Sequence, residues 1–150
     1  MAAQAWKVYN EAKKFIGNGS INLGSGNFRI ALVQSASNFA TLTLSIWNEI
    51  TNEVASVTNS YSTSGRALSG RAWTVGSSAK AYMLDFSDVV FTGSGAAIVN
   101  IKAAVIYLSA ATSATRKLLC HASLTSSQFT LASGNTLTIQ FATTGVFQMV

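Results

Sequence analysis

Hydrophobic and polar positions change their period once along this chain, near residue 27. Before that point Trp6, Tyr9, Ala12 and Ile16, with Phe15 beside the last, recur at the spacing of one helix face. Lys7 and Glu11 stand four residues apart on the opposite face. Gly17-Asn18-Gly19 then ends the segment as a C-terminal glycine does. The spacing predicts a helix over 5–16, either docked on the domain or reaching out as an arm.

From Asn27 onward the pattern is that of strands. Phe28-Arg29-Ile30-Ala31-Leu32-Val33 is a β run, and Thr41-Leu42-Thr43-Leu44-Ser45-Ile46-Trp47 alternates as a half-buried strand does. Residues 48–57 predict a short helical turn, with Glu49 and Glu53 one turn apart. A loop follows at 60–65. Residues 66–75 and 80–86 predict two strands joined by a turn at Gly76-Ser77-Ser78, and 88–92 a short strand before Gly93-Ser94-Gly95. The longest expected strand is 97–108. Val99, Ile101, Ala103, Val105 and Tyr107 lie on one face; Ile98, Asn100, Lys102, Ala104, Ile106 and Leu108 lie on the other. The second face turns apolar late, so the strand is expected to be central and covered on both sides towards its end. After a small-residue loop at 109–115 come strands at 116–123, 128–131 and 136–142, with turns at Ser133-Gly134-Asn135 and Thr143-Thr144-Gly145, and a last run over 146–150. About eight to ten short strands with turns every 8–12 residues predict an all-β fold. The expected architecture is an antiparallel β-sandwich, jelly-roll or immunoglobulin-like in strand order, with a short N-terminal α-helix. It forms one domain over 1–150: helix or arm at 1–19, sandwich at 27–150.

Composition sharpens this picture. Hydrophobic residues make up 49% of the 150 and charged residues only 10%, against roughly 25% charged in an ordinary domain. Ser, Thr, Gly, Asn and Ala fill the difference. A surface of hydroxyls and amides is poorly protected against self-association, but it lets an assembly subunit bond a partner without burying charge. Proline, a common guard of edge strands, is absent, so cationic side chains or assembly must cover the edges. No apolar run approaches the ~18 residues of a membrane helix, and Met1-Ala2-Ala3-Gln4-Ala5-Trp6-Lys7 lacks the layout of a signal peptide. The single Cys120 has no partner for an internal disulfide and reads as a small buried hydrophobe, made in a reducing cytoplasm. The net charge is +5. Its cations are scattered, apart from the pairs Lys13-Lys14 and Arg116-Lys117, rather than laid out in the aromatic-interleaved stripe of a nucleic-acid interface.

Candidate chemistry is sparse. His121 is the only histidine. Adjacent to Cys120 in an expected strand, it points to the opposite face, so the two do not form a nucleophile–base pair; a surface or interface histidine is expected. Glu49 with Glu53, and Asp85 with Asp88, could each be drawn as an acid–base pair or a weak calcium site, but neither has the ligand density of a known loop. One His and one Cys do not furnish a transition-metal site. Gly17-Asn18-Gly19 and Gly24-Ser25-Gly26 lack the spacing and the lysine of a phosphate loop. Trp6, Trp47 and Trp73 read as core or interface anchors. No catalytic, metal or cofactor residue is assigned, and the chain is expected not to be an enzyme.

The string as a whole resembles a family of small bacteriophage virion structural proteins. The likeness begins at Lys7-Val8-Tyr9-Asn10 with Lys13-Lys14-Phe15-Ile16-Gly17-Asn18-Gly19 and Ile21-Asn22-Leu23. It continues through Phe28-Arg29-Ile30-Ala31-Leu32, Ser35-Ala36-Ser37, Asn52-Glu53-Val54, Tyr61 with Ser64-Gly65, and Phe86-Ser87-Asp88-Val89-Val90-Phe91. It closes on Ala103-Ala104-Val105-Ile106-Tyr107, Phe129-Thr130, Leu137-Thr138-Ile139-Gln140-Phe141 and Gly145-Val146-Phe147. The chain departs from the family in having fewer acidic residues around its turns and an Ala- and Ser-rich loop at 109–115. The resemblance implies a β-sandwich and a structural role in the virion, and it brings no catalytic residues. The leading expectation is a capsid cement or decoration protein, a homodimer or homotrimer on the capsid surface that also binds the major capsid protein, with no membrane, cofactor or nucleic acid. The expected contacts are the segment 2–16, with Trp6, Tyr9, Lys13 and Lys14, and the arginines Arg66 and Arg71. A tail, neck or fibre component, a carbohydrate-binding surface module and, last, a hydrolase domain are the alternatives.

Overall fold

Phe28–Val33, the most apolar run in the first third of the chain, lies inside a five-stranded antiparallel sheet and is buried on both faces except at Arg29. The computed structural model describes residues 4–76 and 81–149. In chain order they form β1 (Lys7–Val8), α1 (Asn10–Gly17), β2 (Phe28–Val33), a 3₁₀ turn at Trp47–Glu49, β3 (Arg66–Ala67), β4 (Ala72–Val75), β5 (Tyr82–Asp85), β6 (Val89–Thr92), β7 (Ile98–Ile101), β8 (Ala103–Leu108), β9 (Leu118–Ser123), β10 (Phe129–Leu131), β11 (Thr136–Ile139) and β12 (Phe147–Met149). The fold is mainly β, all pairings are antiparallel, and α1 is its short N-terminal helix, as the pattern predicted.

The large sheet runs in the order β1-β9-β8-β2-β3, with Ala31 opposite Val105 and Val105 opposite His121. Three smaller sheets complete the structure: β10-β7, β11-β6 and β12-β5-β4. Alternation assigns the two faces of the large sheet. Phe28 meets Phe86, beyond β5, at 5.6 Å between ring centroids, so one face packs on the smaller sheets. On the other face Trp47 stacks on Tyr107 at 4.6 Å, and Phe39 lies against His121. Residues 103–107 are fully buried, which is the two-sided cover expected for the end of the long strand. One hydrophobic cluster joins residues of all four sheets, including Leu84, Phe91, Ile98, Ile106, Leu131 and Ile139.

Several boundaries depart from the sequence pattern, each for a local reason. The helix does not start at residue 5. Lys7–Val8 pairs with β9, Tyr9 is extended, and the helix begins at Asn10. Glu11 therefore pairs with Lys14 at 3.3 Å and not with Lys7. The alternating run 41–47 is not a strand. Residues 7–9 hold the edge of β9 as far as Leu119, so residues 45–47 bond it only at Arg116 and Leu118. Residues 48–57 hold no α-helix. The Glu49 carboxylate turns back to accept the backbone N–H groups of Ser45 and Ile46, and Glu53 bridges to Val33 in extended form.

Two expected strands change sheets midway. Residues 66–75 divide into β3 and β4 at Gly70, whose φ of +62° fits glycine and where a Cβ would stand 2.0 Å from Ser87 Oγ. Residues 97–108 divide at Lys102, just after Asn100 with φ +61°. The Lys102 ammonium donates to the carbonyls of Thr125 and Ser126 at 2.8 and 2.6 Å, fixing the crossing point. Ser77 and Ser78 of the expected turn, Lys80 of the next strand and Val150 lie outside the described residues.

Candidate interaction surface

Most of the charged side chains singled out in the sequence hold the chain's own loops. Glu53 sits half-buried beside β2 and accepts from the Tyr61 hydroxyl at 2.8 Å and from the Ser64 N–H. Burial pushes its carboxyl above the usual carboxylate range, while those hydrogen bonds and the nearby Arg116 and Arg29 pull it back. Arg29 donates to the carbonyls of Ser64 and Gly65 at 2.9 and 2.6 Å, Tyr107 to Ser64 O at 2.6 Å, and Arg116 to Ser64 Oγ at 2.8 Å. Ser64 is left-handed (φ +70°), as is Gly65. A Cβ on Gly65 would stand 1.9 Å from Ile30 O, so the loop crosses β2 in backbone contact. Glu53, Arg29 and Tyr107 reach backbone groups of Ser64 and Gly65, Tyr61 and Arg116 reach the Glu53 carboxylate and the Ser64 hydroxyl, and together these bonds hold the loop across β2.

The other carboxylates do not converge. Glu49 faces solvent, and the N–H groups of Ser45 and Ile46, with burial opposing, hold its carboxyl below the usual range. Asp85 accepts from Phe86 N, and Asp88 from Phe141 N and Gln140. Among the described residues no three of His, Cys, Asp and Glu gather as metal ligands would, and no helix is long and apolar enough to cross a membrane.

Of the expected contact residues, Lys13 and Lys14 are exposed on α1. Trp6 is half-buried, its ring 5.7 Å from Phe141. Tyr9 is fully buried and donates to Phe39 O at 2.7 Å, so it belongs to the core and not to a contact surface. Burial, with Cys120 nearby, pushes its hydroxyl pKa up. Arg71 turns inward, donating to Gly26 O and Gly24 O at 2.6 and 2.8 Å. Arg66 is exposed but donates to Val90 O. Ala2 and Ala3 of the expected segment lie outside the described residues. Because Gln4, β1 and Tyr9 are bonded to β9 and its end, the segment from Gln4 to Ile16 is part of the fold and not a free arm.

His121 is buried, which corrects the expectation of a surface histidine. Its ring stands 5.1 Å from Tyr9 and 5.4 Å from Phe39, and neither nitrogen has a hydrogen-bond partner among the described residues. Burial, and secondarily Lys7 opposite it in β1, lower its pKa to about 4. Cys120 is buried as expected, and burial raises its thiol pKa.

The surface feature that sequence reasoning missed is a row of apolar side chains across the three-stranded sheet. Val75 pairs with Tyr82, and Tyr82 with Met149. These three stand on one face and are 55%, 49% and 46% exposed. Along the same face Trp73, Leu84 and Phe147 continue into the core, and the Trp73 and Tyr82 rings lie 5.7 Å apart. Trp73 and Met149 also line a hollow of about 310 Å³ with Ile16, Ile21 and Leu23. A second hollow, about 640 Å³, is lined mainly by hydroxyls from Ser56, Thr58, Ser60, Ser62 and Thr92, with Arg66. Alternation in 72–75 and 82–85 could have signalled the row only with the register of the sheet in hand. Compared with protein-family models, curated proteins and solved structures, the chain matches none.

Proposed function

We propose that this chain is a non-enzymatic structural subunit of a bacteriophage particle, a capsid cement or decoration protein that binds copies of itself and neighbouring subunits of the shell. The observation that carries this reading is the exposed, uncharged row Val75–Tyr82–Met149 on a surface otherwise sparing of charge. Isolated exposed apolar residues are ordinary, but a contiguous row beside an apolar hollow marks a contact surface. The family resemblance supports the same reading. The residues that carry it, among them Phe28, Glu53, Tyr61, Ser64, Gly65 and Tyr107, are those that build the core and the loop clamp.

The mechanism is linkage. A subunit that binds only the assembled shell stabilises it by mass action, and many copies on a symmetric lattice multiply the effect. The net positive charge, with Lys13 and Lys14 displayed on α1, suits an acidic shell and acts mainly on the rate of encounter. The Trp73–Tyr82 ring pair is the one observation that favours the carbohydrate-binding alternative, and binding of host polysaccharide by the isolated chain tests it. The deciding experiment is quantitative mass spectrometry of purified particles divided into tail-free heads and isolated tails. Hundreds of copies with the heads are expected. A few copies with the tails would move the assignment to a neck, tail or fibre part, and absence from both would end the virion reading.

A further inference from the structure

We infer that β4 is a self-association edge, on which two copies of this chain pair strand to strand about a two-fold axis and join their three-stranded sheets into one. This names the self-contact of the proposed virion subunit, but it stands on the strand geometry alone. β4 is an end strand of its sheet. Gly76 N donates to Ala81 O in the register that sets Val75 opposite Tyr82. Hydrogen-bonded and open pairs alternate along an antiparallel ladder. Thr74 and Ala72 therefore bond β5, while the N–H and C=O groups of Trp73 and Val75 point away from it, to the open edge. Neither residue has another backbone partner among the described residues.

An open edge is ordinarily guarded by charge, proline or a bulge. Ala72-Trp73-Thr74-Val75 has none of these, and its pairing with β5 is regular. The nearest cation in the chain before it, Arg71, is turned inward to Gly24 and Gly26. The edge is also complementary to itself. When Thr74 faces Thr74 of a second copy, each Trp73 faces a Val75, and the outward groups of those two residues meet as hydrogen-bonded pairs. The same register places an aromatic side chain across from a β-branched one on the apolar face, a favourable cross-strand pair. It also brings together the two exposed rows Val75–Tyr82–Met149. A register shifted by one residue would oppose the outward groups of one copy to inward groups of the other and lose these bonds.

The test is site-specific cross-linking of the purified full chain. In the inferred register the two Thr74 residues form a non-hydrogen-bonded pair with Cα atoms about 4.5 Å apart, within disulfide reach. The two Val75 residues lie roughly 8 Å apart, beyond it. Thr74 is exposed and Cys120 is buried, so the variant is expected to fold and the native thiol not to compete. Under mild oxidation Thr74→Cys is expected to give mostly covalent dimer, and Val75→Cys and the unmodified chain to give almost none on a non-reducing gel. Adding Val75→Lys to Thr74→Cys is expected to cut the dimer yield at least about tenfold by placing two ammonium groups in the apolar contact. Equal yields from Thr74→Cys and Val75→Cys, or a yield indifferent to Val75→Lys, would overturn the inference. A chain that fails this test yet is abundant on heads would lose the self-contact and keep its place in the virion.

Discussion

His121 makes the fold sensitive to acid in a defined window. The ring is buried between Tyr9 and Phe39, opposite Lys7 on one side and Val105 on the other, with Cys120 next in sequence and turned to the other face. Among the described residues no acceptor meets a proton there. The folded pKa is about 4 against an ordinary 6.5. Between those values the unfolded chain holds one proton more than the folded one, so stability falls as pH falls. Each pH unit is worth about 1.4 kcal/mol, and the window costs at most about 3 kcal/mol. The contribution is intact above pH 6.5 and fully lost below pH 4, where both states are protonated. For a chain of this size that corresponds to about 9 °C in Tm.

The assay is urea unfolding of the wild type and of His121→Leu from pH 7 to pH 4. Leu removes the titration and the two unpartnered nitrogens, so the variant is expected to be about 1 kcal/mol more stable at pH 7. Its advantage then widens by up to about 3 kcal/mol at pH 4. Glu53 works in the opposite direction, because its raised pKa makes the folded state the better proton binder. That term is common to both proteins and cancels in the difference. A gap that stays constant across the window, or a His121 resonance that titrates near 6.5, would refute the reasoning.

Gly65→Ala is expected to lower stability by about 3 kcal/mol or more, because the new methyl meets Ile30 O. Gly134→Ala, equally left-handed (φ +86°) but with nothing within 4 Å, should cost only about 1–2 kcal/mol; urea midpoints of the two variants separate collision from backbone strain. Glu53→Leu strips acceptors from Tyr61 and Ser64 and is expected to cost about 3 kcal/mol. Hydrogen exchange should show that loss concentrated at 53–65, and uniform loss across the sheet would contradict the clamp. The Cys120 thiol should react with a neutral disulfide reagent only as fast as the protein opens, since the side chain is fully buried and its pKa is raised. Labelling at the rate of a free thiol in native buffer would place it elsewhere.

What could be read from the sequence was the burial pattern, and what could not was the partner of each strand. Residues 103–107 were legible as a strand covered on both faces because both of their alternating sets are apolar. The same reading ran 97–108 together, since alternation persists through Lys102 while the chain exchanges one sheet for another. Asn100 gave the only hint, as a residue type that tolerates the left-handed region. Residues 41–47 show the converse. Their pattern is that of a half-buried strand, but the edge it needed is held by residues 7–9, a local arrangement that looked helical because Trp6 and Tyr9 fell in phase with Ala12 and Ile16. The contact residues fared worst. Arg71 and Tyr9 resemble contact residues by type alone, and type does not tell a side chain that faces a partner from one that bonds its own chain.

That distinction bears on how so few charges serve the fold. Of the fifteen charged residues, Arg29, Glu53, Arg66, Arg71 and Lys102 are engaged with backbone groups of distant segments. Short sheets that exchange strands leave many loop carbonyls and amides near the core, and long polar side chains reach them where backbone does not. The same use removes charge from the exterior. A chain with ample charge would spare some for the edge at 72–75; here Arg71, the cation closest before that edge, holds the carbonyls of Gly24 and Gly26 instead. An open, uncharged edge flanked by an apolar row therefore follows from how the loops are satisfied, and on the proposed reading assembly is what covers it.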